Sequence, residues 1–157
     1  MARSLGASLP PDLLRAFSQA DLPSRLNRAL PLVTLDGEMR PHPMLCSYLE
    51  ILALDPETIR VAIAATGRSS LNLAERNVAT LIVVEPDRTV YVKCRAAGAP
   101  LTVGALARFV LKVEDVLEDA ADPSEGPVRI TSGIMYGPAP SLDDPRVRFT
   151  LDALRRR

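Results

Sequence analysis

Apolar and polar residues alternate with a period of two over much of residues 29–136, and this spacing is typical of β-strands that bury one face. The first strand, residues 29–35, ends at Asp36-Gly37, a dipeptide that favours a tight hairpin turn. The strand that returns from this turn contains Pro41 and Pro43, which cannot donate backbone hydrogen bonds. It is therefore predicted to lie at an edge of the sheet or to be bent.

Further strands follow at short intervals in the same region. The run at residues 78–84 is apolar almost throughout, which predicts a central strand covered on both faces. Residues 103–113 predict a long strand with one wet face, but the apolar spacing over residues 105–121 also fits a helix, and this alternative stays open. The other predicted strands are residues 59–63, 89–96 and 128–134.

Two short helices are predicted at the ends of the chain. Near the start, Pro10-Pro11-Asp12 can open a helix whose apolar face carries Leu13, Leu14 and Phe17. Near the end, Asp143-Asp144-Pro145 supplies the acidic residues and the proline that favour a helix start. The predicted organisation is an N-terminal helical segment (residues 1–28), a β domain (residues 29–136) and a C-terminal helical tail (residues 137–157).

Size and charge narrow the classes of protein. The 157 residues are typical of one domain, and six or seven strands with short turns predict a small barrel or closed sheet. Lys plus Arg and Asp plus Glu both total 19, so the zero net charge argues against nucleic acid or an anionic membrane as a partner. No apolar run approaches the roughly 20 residues that span a bilayer, and no secretory leader is recognisable, so a cytoplasmic location is expected.

The sequence gives little support for a metal site or a catalytic nucleophile. Cys46 and Cys94 lie in predicted strands without a CxxC motif or a Cys/His cluster, which predicts two buried, reduced thiols and no metal site. The acidic residues between Asp115 and Asp122 are interpreted as a solvated turn. His42, the only histidine, is interpreted as a surface or barrel-rim residue, with a contact to Cys46 as the alternative.

The polar segment at residues 66–77 joins the third strand to the central strand. Ser70 or Asn72 is predicted to cap a short helix there, and Asn77 to end it in a left-handed conformation. A helix start leaves unpaired N–H groups, so together with Arg68 and the serine hydroxyls it offers an anion site sized for one phosphate. The alternative is an ordinary helix cap with a solvated arginine.

Five short segments carry a resemblance to a known family. They are Asp36-Gly37, Arg40-Pro41, Ser69-Ser70-Leu71-Asn72-Leu73, Asn77-Val78-Ala79-Thr80-Leu81 and Tyr91-Val92-Lys93. In order and spacing they resemble the flavin-binding split-barrel proteins, the pyridoxamine 5′-phosphate oxidase-like family, closely over residues 30–96 and loosely to residue 136. The resemblance implies a mainly β fold, a six-stranded antiparallel split β-barrel with short peripheral helices, which forms a homodimer and binds FMN at the subunit interface.

The resemblance also implies which residues hold the cofactor. The FMN phosphate would be held by Arg68, Ser69, Ser70 and Asn72. The isoalloxazine ring would lie along the second strand, near Pro43, Met44, Leu45 and Ser47. Lys93, with Arg95 on the exposed face of the fifth strand, would reach a cofactor phosphate of the neighbouring subunit; the alternative is two charges on a wet face.

The chain also departs from the family pattern. It has no Trp and ends in three arginines, Arg155 to Arg157, whereas true pyridoxamine phosphate oxidases end in an Arg- and Trp-bearing segment that contacts the substrate phosphate and the flavin. The first hypothesis is therefore an FMN-dependent oxidoreductase of unknown substrate that is not a true pyridoxamine phosphate oxidase, in which no residue stands out as a general acid or base. The alternative is a non-catalytic module of the same fold that holds a flavin, a deazaflavin or a haem, or that has lost its cofactor.

Overall fold

The computed structural model describes residues 2–157, which contain ten β-strands and three α-helices. The strands are β1 (Arg3–Gly6), β2 (Arg28–Leu35), β3 (Pro41–Ser47), β4 (Ile51–Asp55), β5 (Thr58–Ala64), β6 (Val78–Glu85), β7 (Arg88–Ala96), β8 (Leu101–Val103), β9 (Leu106–Ala120) and β10 (Ile134–Met135). The helices are α1 (Pro11–Phe17), α2 (Arg68–Arg76) and α3 (Pro145–Arg155). Short 3-10 turns lie at Leu22–Arg25, Tyr48–Glu50 and Pro123–Glu125.

All strand pairs are antiparallel, and the main path across the sheet is β3-β2-β6-β7-β9-β5-β4. The two ends of this path, β3 and β4, follow each other in the chain and are joined by the turn Tyr48–Glu50, so the sheet curls into a half-barrel. The predicted mainly β, antiparallel split barrel is confirmed. The predicted strand number of six is wrong: the main path has seven strands, and the short strands β1 and β8, which pair with β9, and β10, which pairs with β2, bring the total to ten.

The core lies on the inner face of the curled sheet. Alternate residues of β2, β6 and β7 are buried there, as Leu30 and Leu32 are on β2, and the predicted alternation is confirmed for β7. It is wrong for β5, where Ala62 is buried as well as the residues on either side of it. The N-terminal helix packs against β4 and buries Phe17 completely, and the C-terminal helix buries Leu154. Both predicted terminal helices are thus confirmed, and each contributes to the core. No helix in residues 2–157 is long and apolar enough to cross a bilayer.

The predicted long strand at residues 103–113 is divided in two by a turn at Gly104, whose φ of +57° suits glycine. The helical alternative for residues 105–121 is wrong, since β9 is a 15-residue strand. Lys93 pairs with Asp115 while Cys94 pairs with Val113, so Glu114 is the extra residue of a β-bulge. The bulge interrupts the period of two, which is why the pattern was ambiguous here.

Three other expectations about the sheet are corrected. Residues 128–133 are not a strand, and Val128 is 85% exposed, because Gly126-Pro127 and Gly133 interrupt the run and leave only β10 to pair with β2. The central strand β6 is fully buried on one face only. Arg108, expected on a wet face, is buried beneath α3 and donates to the carbonyl oxygens of Ala153 and Arg156.

Candidate functional site

The helix α2 begins directly after β5 and a short turn. Its N-cap is Gly67, whose backbone is extended, and no side chain caps the helix start. The predicted capping by Ser70 or Asn72 is wrong, because the helix begins at Arg68 and these two residues lie within its first turns. The predicted end is confirmed: Asn77 adopts the left-handed conformation at φ 61°, and its N–H donates to the carbonyl oxygen of Leu73 at 2.9 Å.

The uncharged polar side chains of α2, those of Ser69, Ser70 and Asn72, point into the protein. The Ser70 hydroxyl donates to the carbonyl oxygen of Ala64 at 2.6 Å, and the Asn72 amide donates to the Thr34 hydroxyl at 3.0 Å. Ser69 is also buried. These side chains therefore fix the helix against β5 and β2. The groups that α2 leaves for an anion are the backbone N–H groups of its first turn, which have no partner within a helix.

Arg68 lies at this helix start and is exposed. It forms no ion pair with a carboxylate anywhere in residues 2–157, whereas Arg40 nearby is paired with Asp36 at 3.1 Å and with Glu38 at 2.9 Å. A cavity of about 310 Å³ connects α2 to the β2–β3 turn. It is lined by Asp36, Gly37, Glu38, Arg40, His42 and Arg68.

The two carboxylates of this cavity pair with Arg40, so Arg68 is available to bind an anion. Asp36 accepts hydrogen bonds from the backbone N–H groups of Arg40 and Glu38, and these bonds hold the pKa of its carboxyl below the ordinary value. Asp36 thus stays ionised and paired with Arg40 at neutral pH. The donor set that remains, one guanidinium and the first N–H groups of α2, matches the chemistry of a phosphate group.

The predicted ring-contacting residues lie on β3, which is an edge strand as its prolines predicted. Leu45 is 47% exposed on the outer face of the sheet, and Ser47, on the same face by alternation, is largely buried at the strand end. Met44 lies on the opposite, inner face and packs against the core. Leu45 is therefore open to the outer side of β3, Ser47 lies on that side but is largely buried, and Met44 supports the strand from inside.

Lys93 is exposed on the outer face of β7. The register places Pro43, Val33, Thr80 and Lys93 in one row across β3, β2, β6 and β7. Three strand spacings therefore separate Lys93 from Pro43, a distance of about 14 Å. The structure thus brings Arg68 and His42 to one cavity but leaves Lys93 outside it within the same chain.

The outer face of the sheet also carries apolar side chains that are only half-buried. Leu45 is opposite Pro31, Ile82 is opposite Tyr91, and Tyr91 is opposite Leu117 in the strand register. The inner face of the same strands forms the core, so these apolar side chains on the outer face are not part of it. They form an apolar surface, here called the outer apolar face, that spans β3, β2, β6, β7 and β9.

The cysteines and the histidine do not form a nucleophile pair. Cys46 is fully buried, and desolvation raises the pKa of its thiol far above the ordinary value. Burial likewise raises the pKa of the Cys94 thiol to about 12. Both cysteines are free, as predicted. No group of three His, Cys, Asp or Glu side chains in residues 2–157 is placed to hold a metal ion.

One residue of interest was missed at the sequence level. Glu50 accepts a hydrogen bond from the backbone N–H of Ser47 at 2.6 Å, while the Ser47 hydroxyl accepts one from the N–H of Leu49 at 3.3 Å. This reciprocal arrangement is a capping box, and the spacing Ser47-x-x-Glu50 is its sequence signal. The box ends β3 and turns the chain into the 3-10 turn Tyr48–Glu50.

Comparisons with known proteins agree with this architecture. No family model and no curated protein matches the chain. Among solved structures, a candidate pyridoxamine 5′-phosphate oxidase from Lactobacillus delbrueckii has a TM-score of 0.56 at 15% identity, covering 73% of this chain and 98% of that one. An FMN-binding protein from Syntrophomonas wolfei has a TM-score of 0.54 at 16% identity, covering 71% and 88%.

A haem-binding protein from Mycobacterium smegmatis has a TM-score of 0.50 at 15% identity, covering 73% of this chain and 59% of that one. Similarity at this level of identity establishes the fold. The chain therefore has the fold of the pyridoxamine 5′-phosphate oxidase-like split-barrel proteins, which confirms the resemblance found in the sequence.

Proposed function

We propose that this chain is an FMN-binding split-barrel protein whose α2 start holds the cofactor phosphate. The observation that carries the proposal is the exposed Arg68 guanidinium, which has no carboxylate partner in residues 2–157 and stands beside a helix start that no side chain caps. Ser69, Ser70 and Asn72 contribute through the backbone and by fixing the helix, since their side chains are buried. A phosphate would then receive charge-assisted hydrogen bonds from Arg68 and bonds from the first N–H groups.

The remainder of FMN would extend along β3. From His42, beside the phosphate cavity, to Ser47 the strand runs five residue spacings, about 16 Å. Leu45 and Ser47 would border the ring on the outer side, with Met44 holding the strand in place from the core. The ring of an FMN, when bound, accepts and donates electrons or hydride, so the side chains of this chain are needed to bind and orient rather than to react.

The homodimer belongs to the same proposal. The outer apolar face, including Leu45, Ile82 and Tyr91, is open in one chain, and a second copy would bury it. Lys93, which lies outside the cavity of its own chain, would then be available to the cofactor of the other subunit. Contact with the cofactor of the other subunit would explain why the charged Lys93 lies beside the outer apolar face.

An oxidoreductase function follows as the finer part of the proposal. The carboxylates of the cavity beside Arg68, Asp36 and Glu38, are both paired with Arg40, so His42 is the one lining side chain that is free to act as a general acid or base. Hydride transfer to or from a flavin does not require one. True pyridoxamine phosphate oxidase activity is not proposed, since the sequence contains no Trp.

A non-catalytic binding module is the second candidate. The observation that favours it is the low aromatic content, three Tyr and three Phe, which leaves few flat side chains to stack on a ring. His42 is the only histidine of the chain and lines the cavity. Among the lining residues it is the one whose side chain is a common axial ligand of haem iron. Deazaflavin and haem therefore remain ligands to be compared with FMN.

Titration of the purified protein with FMN, a 5-deazaflavin and haem separates these proposals. Binding is followed by quenching of flavin or deazaflavin fluorescence and by the haem Soret band. FMN is expected to bind most tightly, and the bound flavin to be reduced by a small-molecule donor and reoxidised in repeated cycles. Tighter binding of haem or deazaflavin would overturn the FMN assignment, and binding of FMN without reversible reduction and reoxidation would support the non-catalytic module.

A further inference from the structure

A second cavity of about 400 Å³ lies at the far end of β3 from Arg68. It is bounded by the β3 end and its capping box, by the segment that follows β10, and by the exposed side of α3. Its lining residues include Ser47, Leu49, Glu50, Tyr136, Pro138 and Val147. The size falls within the range of small-molecule sites, and the mixture of apolar walls with few polar groups is typical of them.

Glu50 is the charged group of this cavity that is withdrawn from solvent. Its carboxylate accepts from the backbone N–H of Ser47, yet burial outweighs this bond and raises the pKa of Glu50 above the ordinary value. An ionised carboxylate can accept about four hydrogen bonds, so Glu50 retains acceptor capacity toward the cavity. Tyr136 stands close enough that, after burial, the charge of Glu50 is the next cause that raises the pKa of its hydroxyl.

The other titratable groups near the cavity do not neutralise Glu50. Arg146 lies at the rim, but its guanidinium is exposed and already bonded to Asp144 at 2.9 Å. The bond also holds the pKa of Asp144 below its ordinary value, so this rim pair is neutral as a whole. When Glu50 is ionised, its carboxylate is therefore the uncompensated charge that faces the cavity.

We propose that this cavity is a binding site for a small organic cation, a molecule with an apolar or aromatic body and one protonated amine that pairs with Glu50. Leu49, Val147 and the ring of Tyr136 would contact the body, and the amine would donate to the carboxylate. The cavity shares Ser47 with the proposed ring end of the FMN site, but Arg68 and the proposed phosphate cavity lie at the other end of β3, and the cation proposal rests on Glu50. Charge complementarity identifies the ligand class, since a neutral or anionic molecule would leave Glu50 uncompensated.

Matched probes test this site in the intact protein. Tryptamine and indole-3-propionate share ring and chain length and differ in the sign of the terminal charge. Tryptamine is expected to shift backbone NMR resonances at residues 47–50 and 146–150, and indole-3-propionate to bind much more weakly. Equal binding of both probes, or shifts confined to other residues, would overturn the proposal. Tryptamine affinity should also fall as pH is lowered through the pKa of Glu50.

Three variants test whether the amine binds at Glu50. Glu50→Gln keeps an acceptor for Ser47 and removes the charge, and it should weaken tryptamine binding about tenfold or more, whereas the exposed control Glu57→Gln should not. Val147→Trp fills the cavity, leaves Glu50 in place and should also abolish binding. Retained affinity in Glu50→Gln contradicts the proposal. FMN affinity measured in parallel should change little in Glu50→Gln, because glutamine keeps the acceptor that positions Ser47. A loss of FMN affinity as large as the loss of tryptamine affinity would show that the two sites are one and would overturn a separate cation site.

Discussion

The side-chain amide of Asn72 donates a hydrogen bond to the hydroxyl of Thr34 at 3.0 Å, and both side chains are almost completely buried. Thr34 lies on β2 two residues before Asp36, at the turn that lines the cavity of Arg68. The bond therefore fixes the start of α2 relative to the β2–β3 turn. The position of the proposed phosphate site depends on this contact between a helix and the strand beneath it.

Replacing Asn72 is expected to destabilise the fold. Asn72→Ala leaves the Thr34 hydroxyl buried without its donor, and this should lower the free energy of unfolding by about 1–3 kcal/mol. Urea denaturation of the wild type and the variant measures the difference. In the double variant with Thr34→Val, part of the loss should be recovered, because the hydroxyl that has lost its donor is itself removed, together with its long bond to the carbonyl oxygen of His42 at 3.4 Å. Strictly additive losses would show that the two side chains do not interact.

The outer apolar face predicts the oligomeric state. Light scattering after size-exclusion chromatography should give twice the 17.0 kDa chain mass for the wild type. Ile82→Arg places a charge in the centre of this face and should give a monomer, because an unpaired arginine is costly to bury at an interface. Leu54→Arg changes an exposed leucine at the end of β4 and should leave the dimer intact. A monomeric wild type would contradict the proposed interface.

Glu50 predicts a specific pH dependence of stability. Its folded-state pKa is raised, so the folded state retains the proton over a range where the unfolded state has lost it. The contribution of Glu50 to stability therefore falls as pH rises from its ordinary value of 4.5 through the raised pKa. The melting temperature of the wild type minus that of Glu50→Gln should decrease across this window. A difference that is constant or rises with pH would contradict the burial of this carboxylate.

The two thiols are predicted to be inert in the folded protein. Cys46 and Cys94 are buried on inner strand faces, and burial raises the pKa of both thiols, so little thiolate exists near neutral pH. Ellman's reagent should therefore react with both cysteines only after unfolding in denaturant. Fast reaction of either thiol in the native protein would show that its strand opens readily.

The sequence predicted strands whose alternation is unbroken, as in β7, and failed where that signal is masked. In β4, Ile51 and Ala53 face the core, but the residues that follow each of them, Leu52 and Leu54, are also apolar, so no alternation is visible. The strand β1 is only four residues long and is stabilised by its pairing with β9, a long-range contact that no local pattern records.

The same distinction applies to the candidate site. The polar segment around Arg68 and the left-handed Asn77 could be identified from residue types and spacing. The inward bonds of Ser70 and Asn72 could not, because they depend on which backbone carbonyl and which strand lie beneath α2. Glu50 carried a local capping signal, but its place in a cavity with Tyr136 depends on how a distant segment returns to β3.

The placement of the FMN phosphate at Arg68 is the central claim, and a matched pair of arginine variants tests it most directly. FMN dissociation constants are measured by fluorescence quenching for the wild type, Arg68→Ala and Arg15→Ala, the last being an exposed arginine on α1. Loss of charge-assisted bonds should weaken FMN binding about 10- to 100-fold in Arg68→Ala, while Arg15→Ala binds as the wild type does. If Arg68→Ala binds FMN as tightly as the wild type, the phosphate is held elsewhere.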